Sequence, residues 1–356
     1  MNLTEFQIEF EKIVDREPFS NKIKPIRKKA FSDFSTIGFP SKKWEDWRFT
    51  NLTKIRKNSY TLGNEHCRDP LNLELDKFHI PDVFTILFIN GHYSKEKSDK
   101  IDGVELMSNS EYFDHKNWSE DYQSDCPFEL LNTAFMDSGM NLIINENQNI
   151  MKPIRFLFAT STAEEIMITP KVNIDCGESS SFTFIEHYVG GSNNFFVNSS
   201  VSCFLNKNSS MHHIKIIEES KKGLIFNKTN VRQENSSRYN FLTFNCDSNF
   251  SRAKINTKLN GEGAECSLSG LSLSSDNQQL GTHIVTNHFS PNCYSNQNFK
   301  NILLDNSSGI FNGRTIVHKN AQKTNSQQSN KNLILSKSAH MNSNPQLEIY
   351  ADDVKC

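Results

Sequence analysis

The sequence is short of several things that would have pointed elsewhere. It has no excess of basic charge: 39 Lys and Arg stand against 41 Asp and Glu, a formal charge of −2 over 356 residues. That leaves no electrostatic footprint for a phosphate backbone, and there is no acidic tail, so no nucleic-acid partner is expected. The longest apolar run, about Val83 to Ile89, falls far below the ~20 residues a helix needs to cross a bilayer, so no membrane partner is expected. Met1-Asn2-Leu3-Thr4-Glu5 has no basic stretch leading into an apolar one. No secretory signal is read there, and a cytoplasmic, reducing location is the expectation. The eight cysteines include no Cys-x-x-Cys pair, and their spacings are wide and irregular. That argues against a disulfide framework and against a grouped thiolate set for a stably bound cluster. No Gly-x-x-x-x-Gly-Lys-Ser/Thr loop is present, and Gly261-Glu262-Gly263 reads as a turn, so ATP is not held by that device.

What is present is alternation. Between Gly309 and Cys356, short apolar runs (Ile310-Phe311, Thr315 to Val317, Leu333 to Leu335, Leu347 to Ala351) alternate with polar residues and are separated by Asn, Ser and Gly. Such period-2 runs with turn residues between them are short strands. The Asn- and Gln-rich stretches between them suit stacked amide ladders. Hydrophobic residues make up only 36% of the chain, yet 27 are Phe, and the β pattern persists to the end, so the composition does not signal disorder.

An internal repeat follows residue 165. Small pairs at Ser180-Ser181, Ser209-Ser210, Ser236-Ser237 and Gly263-Ala264 recur at steps of 29, 27 and 27 residues, and each leads into an alternating strand. Val197, Ser199, Val201, Cys203 and Leu205 form one inner face. A fixed step of this length marks a repeat architecture in which each coil buries the face of the next. It is long for a hairpin meander, so a β-solenoid is expected rather than a sandwich.

The N-terminal part reads as helical. Thr4 with Gln7 suggests a capping box, and Phe6, Phe10, Ile13 and Val14 share a face. Pro18 breaks that helix, and a second runs from about Ser20 to Ile37 with Ile23, Ala30, Phe34 and Ile37 inward, stopped by Gly38-Phe39-Pro40. Trp44 and Trp47 fall on one helical face of a joint to the main body. Residues 53 to 79 read as loop. Val83 to Asn90 is a strand ending in an Asn-Gly turn, Phe128 to Phe135 a short helix, and Leu142 to Ile144 and Ile154 to Ala159 are strands. The division is a helical segment and linker over 1–80 and a β core over 81–356.

The wording of the last stretch resembles the SufB/SufD family, the scaffold subunits of the Suf iron–sulfur cluster assembly machinery. The residues that carry the resemblance are Phe311, Gly313, Ile316 and Val317; then Ala321 to Thr324, Gln328, Asn330, Asn332, Leu333, Leu335 and Ser336; then Pro345, Leu347 to Ile349 and Ala351 to Cys356. Lys43-Trp44-Glu45-Asp46-Trp47-Arg48-Phe49-Thr50-Asn51-Leu52 resembles the front of SufD-type members, and Leu131-Asn132-Thr133-Ala134-Phe135 with Gly139 the element before their β body. The resemblance implies a right-handed parallel β-helix core with a small α-helical N-terminal segment. It implies a non-enzymatic SufD-like scaffold in the SufBCD complex, paired with a SufB-like subunit through the C-terminal β-helix end. It implies contact with a SufC-like ATPase through a C-terminal helical segment that the family carries after the Ala-Asp-Asp-Val-Lys-Cys motif. Because this sequence stops at that motif, it is expected to be a piece of a longer chain. A homodimer is the expectation when the chain is alone.

Cys356 is the candidate metal ligand. In the family this cysteine lies at the SufB–SufD interface where the nascent cluster is built, and a soft thiolate suits transient iron. No cofactor is expected to be bound stably; iron or a cluster would be there in transit. A frayed terminal thiol is the bland reading of the same residue. Leu347, Glu348, Ile349, Asp352 and Asp353 are the candidate partner interface, because the open end of a β-helix presents strand edges. Asp352 and Asp353, as neighbours, cannot face one bond, which argues against the alternative of a β-helix polysaccharide lyase or hydrolase. The bland reading is a turn or strand-end role for one of them. Adjacent His212 and His213 point to opposite faces, so one is read as inward and hydrogen-bonded and the other as solvated. Cys203, Cys246 and Cys266 read as small core residues and Cys293, in a turn, as more exposed. His187, His283, His288, His318 and His340 are isolated in sequence.

Overall fold

The structure, a computed structural model, describes residues 3–14, 23–62, 73–115, 124–136, 138–191, 194–218 and 222–356. Its body is a parallel β-solenoid in which each coil gives one strand to each of two sheets. One sheet stacks Met140–Ile144, Lys171–Cys176, Phe195–Leu205, Leu224–Gln233, Phe250–Leu259, Gln279–His288, Ser308–Val317 and His340–Ile349. The other stacks Phe84–Ile89, Asn149–Thr160, Ser181–Gly190, Ser210–Glu218, Arg238–Cys246, Glu265–Ser274, Tyr294–Leu303, Thr324–Ile334 and Val354–Lys355. The inner face predicted from Val197, Val201, Cys203 and Leu205 is buried and joins one continuous core. Alternation in sequence has become alternation in burial, as in Arg238–Cys246, where Tyr239, Phe241 and Thr243 point in.

The repeated small pairs mark a column of stacked turns. From the strand Asn149–Thr160 to Tyr294–Leu303, the residue two places before each strand of the second sheet has a positive φ: Asn147, Ser179, Asn208, Ser236, Gly263 and Asn292; Lys323, one place before Thr324–Ile334, has one too. Glycine enters this region without steric cost and Asn more readily than most residues. From Ser179 onward the next position is small and buried: Ser180, Ser209, Ser237, Ala264, Cys293 and Thr324. The hydroxyls of Ser180, Ser209 and Ser237 donate to the carbonyls of Gly177, Asn206 and Glu234 at 2.8, 2.7 and 2.7 Å. Cys293 therefore corrects the sequence reading. It is only 1% exposed, because a turn in a stacked column has a buried side as well as an outer one.

The helices cap one flank. Leu3–Ile13 and Ile23–Ile37 enclose Pro127–Phe135, which is buried at every position. Phe10 stacks on Phe31 at 4.3 Å, Phe6 meets Phe34 at 5.7 Å, and Phe128 stacks on Phe226 of the sheet at 4.5 Å. Gly38, at φ 68°, ends the second helix as expected. Thr4 lies inside the first helix rather than capping it, and Ile37 is 37% exposed rather than inward. Phe31, Ile26 and Arg27 take the inward places instead, with the buried Arg27 donating to the Ala134 carbonyl at 2.8 Å. Pro18 and Ser20 lie outside the described residues. Residues 53–79, read as loop, contain the helix Thr53–Lys57 and the strand Thr61–Leu62, which pairs with Ile166 and Met167. Trp47, in a short 3-10 turn over Glu45–Trp47, stacks on Phe128 at 5.4 Å, and the Arg252 guanidinium sits 3.8 Å over its ring. Arg252 also donates to Thr50 Oγ1 at 2.9 Å and to the Asp46 carbonyl at 3.0 Å, which fixes the joint read from the tryptophans.

Candidate functional site

The solenoid ends in an uncovered coil. Leu347 pairs with Thr315 and Ile349 with Val317, on columns that point into the core. Thr315 and Val317 are buried, whereas Leu347 is 49% and Ile349 42% exposed. Ile334 repeats the case: its register partner Leu303 is fully buried and it is not. These side chains stand on core columns, and among the described residues no coil lies above them. Beside them, Thr324–Ile334 pairs onward only at Thr324 and Asn325, so the rest of that strand is a sheet edge among the described residues. An exposed edge flanked by apolar side chains is a pairing surface.

The polar candidates rim this surface. Glu348 faces outward, 3.6 Å from Arg314 Nε, and accepts from the Tyr350 hydroxyl at 3.3 Å. Asp352 and Asp353 sit exposed in a bend before the last short strand. The Asp353 backbone N–H donates to Gln322 Oε1 at 2.9 Å, and Lys323 N–H donates to the Asp353 carbonyl at 2.6 Å. Their carboxylates are exposed, and both residues lie in the bend that leads into the last short strand. Ala351 packs with Val317 and Ala321 beneath the bend. Cys356 follows, and its thiol is the exposed one among the described cysteines. Partial burial pushes this thiol up, and the Ser326 backbone N–H pulls it partly back.

The other cysteines are unsuited to the same chemistry. Cys203 and Cys266 lie in the core as expected, and burial pushes the Cys266 thiol up to about 12. Cys246 is half-buried rather than core, with its thiol at about 11. Among the described residues, no three His, Cys, Asp or Glu side chains are grouped to hold a metal ion.

A second polar cluster lies inside the coils, and the sequence reading found only one member of it. His213 is buried and His212 exposed, as their adjacency required. His213 Nδ1 lies 2.8 Å from the Tyr239 hydroxyl and Nε2 lies 3.0 Å from Glu186 Oε2. Glu186 also takes Lys215 Nζ at 3.0 Å and the Tyr188 hydroxyl at 2.5 Å. Burial alone would raise the Glu186 carboxyl, but Lys215 and these donors outweigh it and hold it at about 2. The missed signal was the repeat step itself: Lys215 is the register partner of Glu186, 29 residues on. This cluster joins three successive coils and is a fastening inside the fold.

Family models cover nearly all of the chain. Residues 158–356 match the SufBD core domain of SUF-system FeS cluster assembly, and residues 8–156 match the SufBD protein N-terminal region. An iron–sulfur cluster assembly SufBD family protein of Synechocystis is 27% identical over 353 residues, covering 93% of this chain and 77% of the relative. The iron–sulfur cluster assembly protein SufD of Escherichia coli is 26% identical over 350 residues, covering 96% and 80%. A chloroplastic protein of Arabidopsis thaliana, ABCI7, is 25% identical over 356 residues, covering 93% and 73%.

Proposed function

The chain belongs to the SufBD family of iron–sulfur cluster assembly proteins, and we propose that within that work it is a SufD-like scaffold and not an enzyme, pairing through its open coil with a SufB-like subunit. The observation that carries this reading is the unroofed core column at Leu347 and Ile349. A second β-solenoid end, with edge strands and an apolar lumen of its own, covers that surface best. Glu348, Asp352 and Asp353 then form its polar rim. Alone, the same end is free to meet a second copy, and the chain forms a homodimer. A SufC-like ATPase completes the complex, and we assign it no surface among the described residues. Iron or a nascent cluster is the cargo, met at the joint by the Cys356 thiolate. Among the described residues no helix is long and apolar enough to cross a membrane, and we place the protein in the cytoplasm.

The test is co-purification of this chain with a SufB-like partner, compared with Leu347→Asp/Ile349→Asp. The wild-type chain brings the partner down and the double variant does not. A partner held equally by both places the joint elsewhere, and a partner held by neither removes the scaffold reading.

A further inference from the structure

The Asn- and Gln-rich stretch of the sequence becomes one wall of the open mouth. Inward along Thr324–Ile334, Ser326, Gln328, Asn330 and Asn332 continue the columns of Ser295, Gln297, Phe299 and Asn301. Gln297 is fully buried. Its amide nitrogen donates to Thr286 Oγ1 and Thr315 Oγ1, each at 3.2 Å, and its oxygen accepts from Gln328 Nε2 at 2.9 Å. Beside it, Asn301 Nδ2 donates to Asn332 Oδ1 at 2.8 Å, and Asn332 Nδ2 donates to Asn330 Oδ1 at 2.7 Å. The Ser343 hydroxyl donates to the same Asn330 oxygen at 2.9 Å. Gly313, on the facing strand, leaves room for this ladder: a Cβ there would lie 1.9 Å from Gln328 Nε2 and 3.0 Å from Gln297 Oε1. The ladder then stops. Gln328 Oε1, the atom that in Gln297 receives the next amide, receives nothing among the described residues.

The bland account is that amides suit an end that faces water. Two observations weigh against it. The Gln column begins one coil below the end, at Gln297, which is 0% exposed; deeper coils of the same column carry Phe241 and Leu268. The other wall of the same mouth is not adapted to water: Met341, Pro345, Leu347 and Ile349 stand on its inward columns, with Ser343 among them. The mouth is two-sided, amides on one wall and mostly apolar side chains on the other.

We propose that this amide wall selects the partner and fixes its alignment. The mouth takes a β-solenoid end whose last coil carries neutral hydrogen-bonding side chains (Asn, Gln, Ser or Thr) opposite Gln328 and Asn332, and aliphatic side chains opposite Leu347 and Ile349. This rests on the reading of the open coil as the joint with a second solenoid and adds what that solenoid carries. One donor on the partner, aimed at Gln328 Oε1, extends the ladder across the joint by another rung. A neutral amide or hydroxyl fits where Lys or Arg does not, because the joint closes the lumen to water and an unpaired charge there is costly. A partner turned so that its walls cross lays aliphatic groups on Gln328 and Asn332. That leaves buried amides unmatched, and the cost rejects the wrong alignment.

The experiment measures the dissociation constant between the purified chain and a SufB-like partner for the unaltered chain, Gln328→Leu, Asn332→Leu and Gly313→Ala. A merely apolar docking surface binds more tightly, or no differently, when Leu replaces an amide; an amide ladder binds more weakly. Gln328→Leu and Asn332→Leu each raise the dissociation constant by about tenfold or more, the loss expected when a buried polar group goes unmatched. Gly313→Ala leaves the amides in the sequence but drives Gln328 Nε2 from its place, and raises the constant by about threefold or more. Constants unchanged or lowered in both Leu variants overturn the proposal and leave the scaffold reading standing. A partner not bound by the unaltered chain removes both. Urea midpoints check each variant's fold, and Asn332→Leu, at an exposed position, keeps the test decisive if Gln328→Leu loosens the last coil.

Discussion

Lys215 stands over Glu186 inside the solenoid: the two are register partners in adjacent coils, 3.0 Å apart and both buried. Removing one member of such a pair leaves the other charge without compensation. Glu186→Gln is expected to destabilise the chain by about 3–5 kcal/mol at pH 7. Glu186→Gln/Lys215→Met recovers a large part of that loss. Urea unfolding of the single and double variants measures both, and a double variant no more stable than the single would refute the coupling.

Acid should act through the buried histidines. His187 and His288 are held at about 4, and His213 and His283 are also lowered, burial being the first cause for each. Their folded values lie below the unfolded 6.5, so the unfolded chain binds more protons. The stability they contribute is complete above pH 6.5 and is lost as pH falls toward the folded values. Each titrating histidine adds a slope of about 1.4 kcal/mol per pH unit in that window. Urea midpoints at pH 7.5, 6 and 5 follow it, and His187→Phe is expected to flatten the fall. A flat profile between pH 7 and 5 would contradict the assignment.

Two glycines in one turn should behave oppositely. A Cβ at Gly261 would lie 1.9 Å from the Asn235 nitrogen and 2.1 Å from the Glu234 carbonyl carbon, in the turn of the coil beneath. Backbone cannot yield there, so Gly261→Ala is expected to cost about 1–3 kcal/mol or more. Gly263 has φ 69°, a Cβ there would meet only the Ser236 hydroxyl at 3.6 Å, an ordinary contact, and Asn292 in the next coil and Asn208 two coils back hold the equivalent place. Gly263→Asn is expected to change stability by less than about 0.5 kcal/mol. Thermal melts of both variants decide it.

Leu347 and Ile349 lose little when altered in the isolated chain, because each is already more than two-fifths exposed. Leu347→Asp/Ile349→Asp is expected to shift stability by under about 1 kcal/mol. If the proposed self-pairing through this end holds, the same variant is expected to sediment as a monomer where the unaltered chain sediments as a dimer. A dimer that survives would place the self-contact on another face.

Much of this architecture is legible in the amino-acid order. Alternation and the step between Ser180, Ser209 and Ser236 specify stacked coils, because period 2 and a fixed return leave few other ways to bury one face. The same alternation assigned His212 and His213 to opposite sides. Local pattern alone misplaced Ile37 and Cys293, since a helix face or a turn is buried only relative to what packs on it.

Sequence by itself therefore determined the solenoid, its turn column and its family. Tertiary structure decided which groups meet. Coil steps vary by a few residues, so the partners Glu186 and Lys215, or His288, Ser295 and Ser326, are found only once register is fixed. Leu347 and Val317 carry the same kind of apolar side chain on inward columns. Val317 is core and Leu347 surface because the strand His340–Ile349 lies above Val317 and no described residue lies above Leu347.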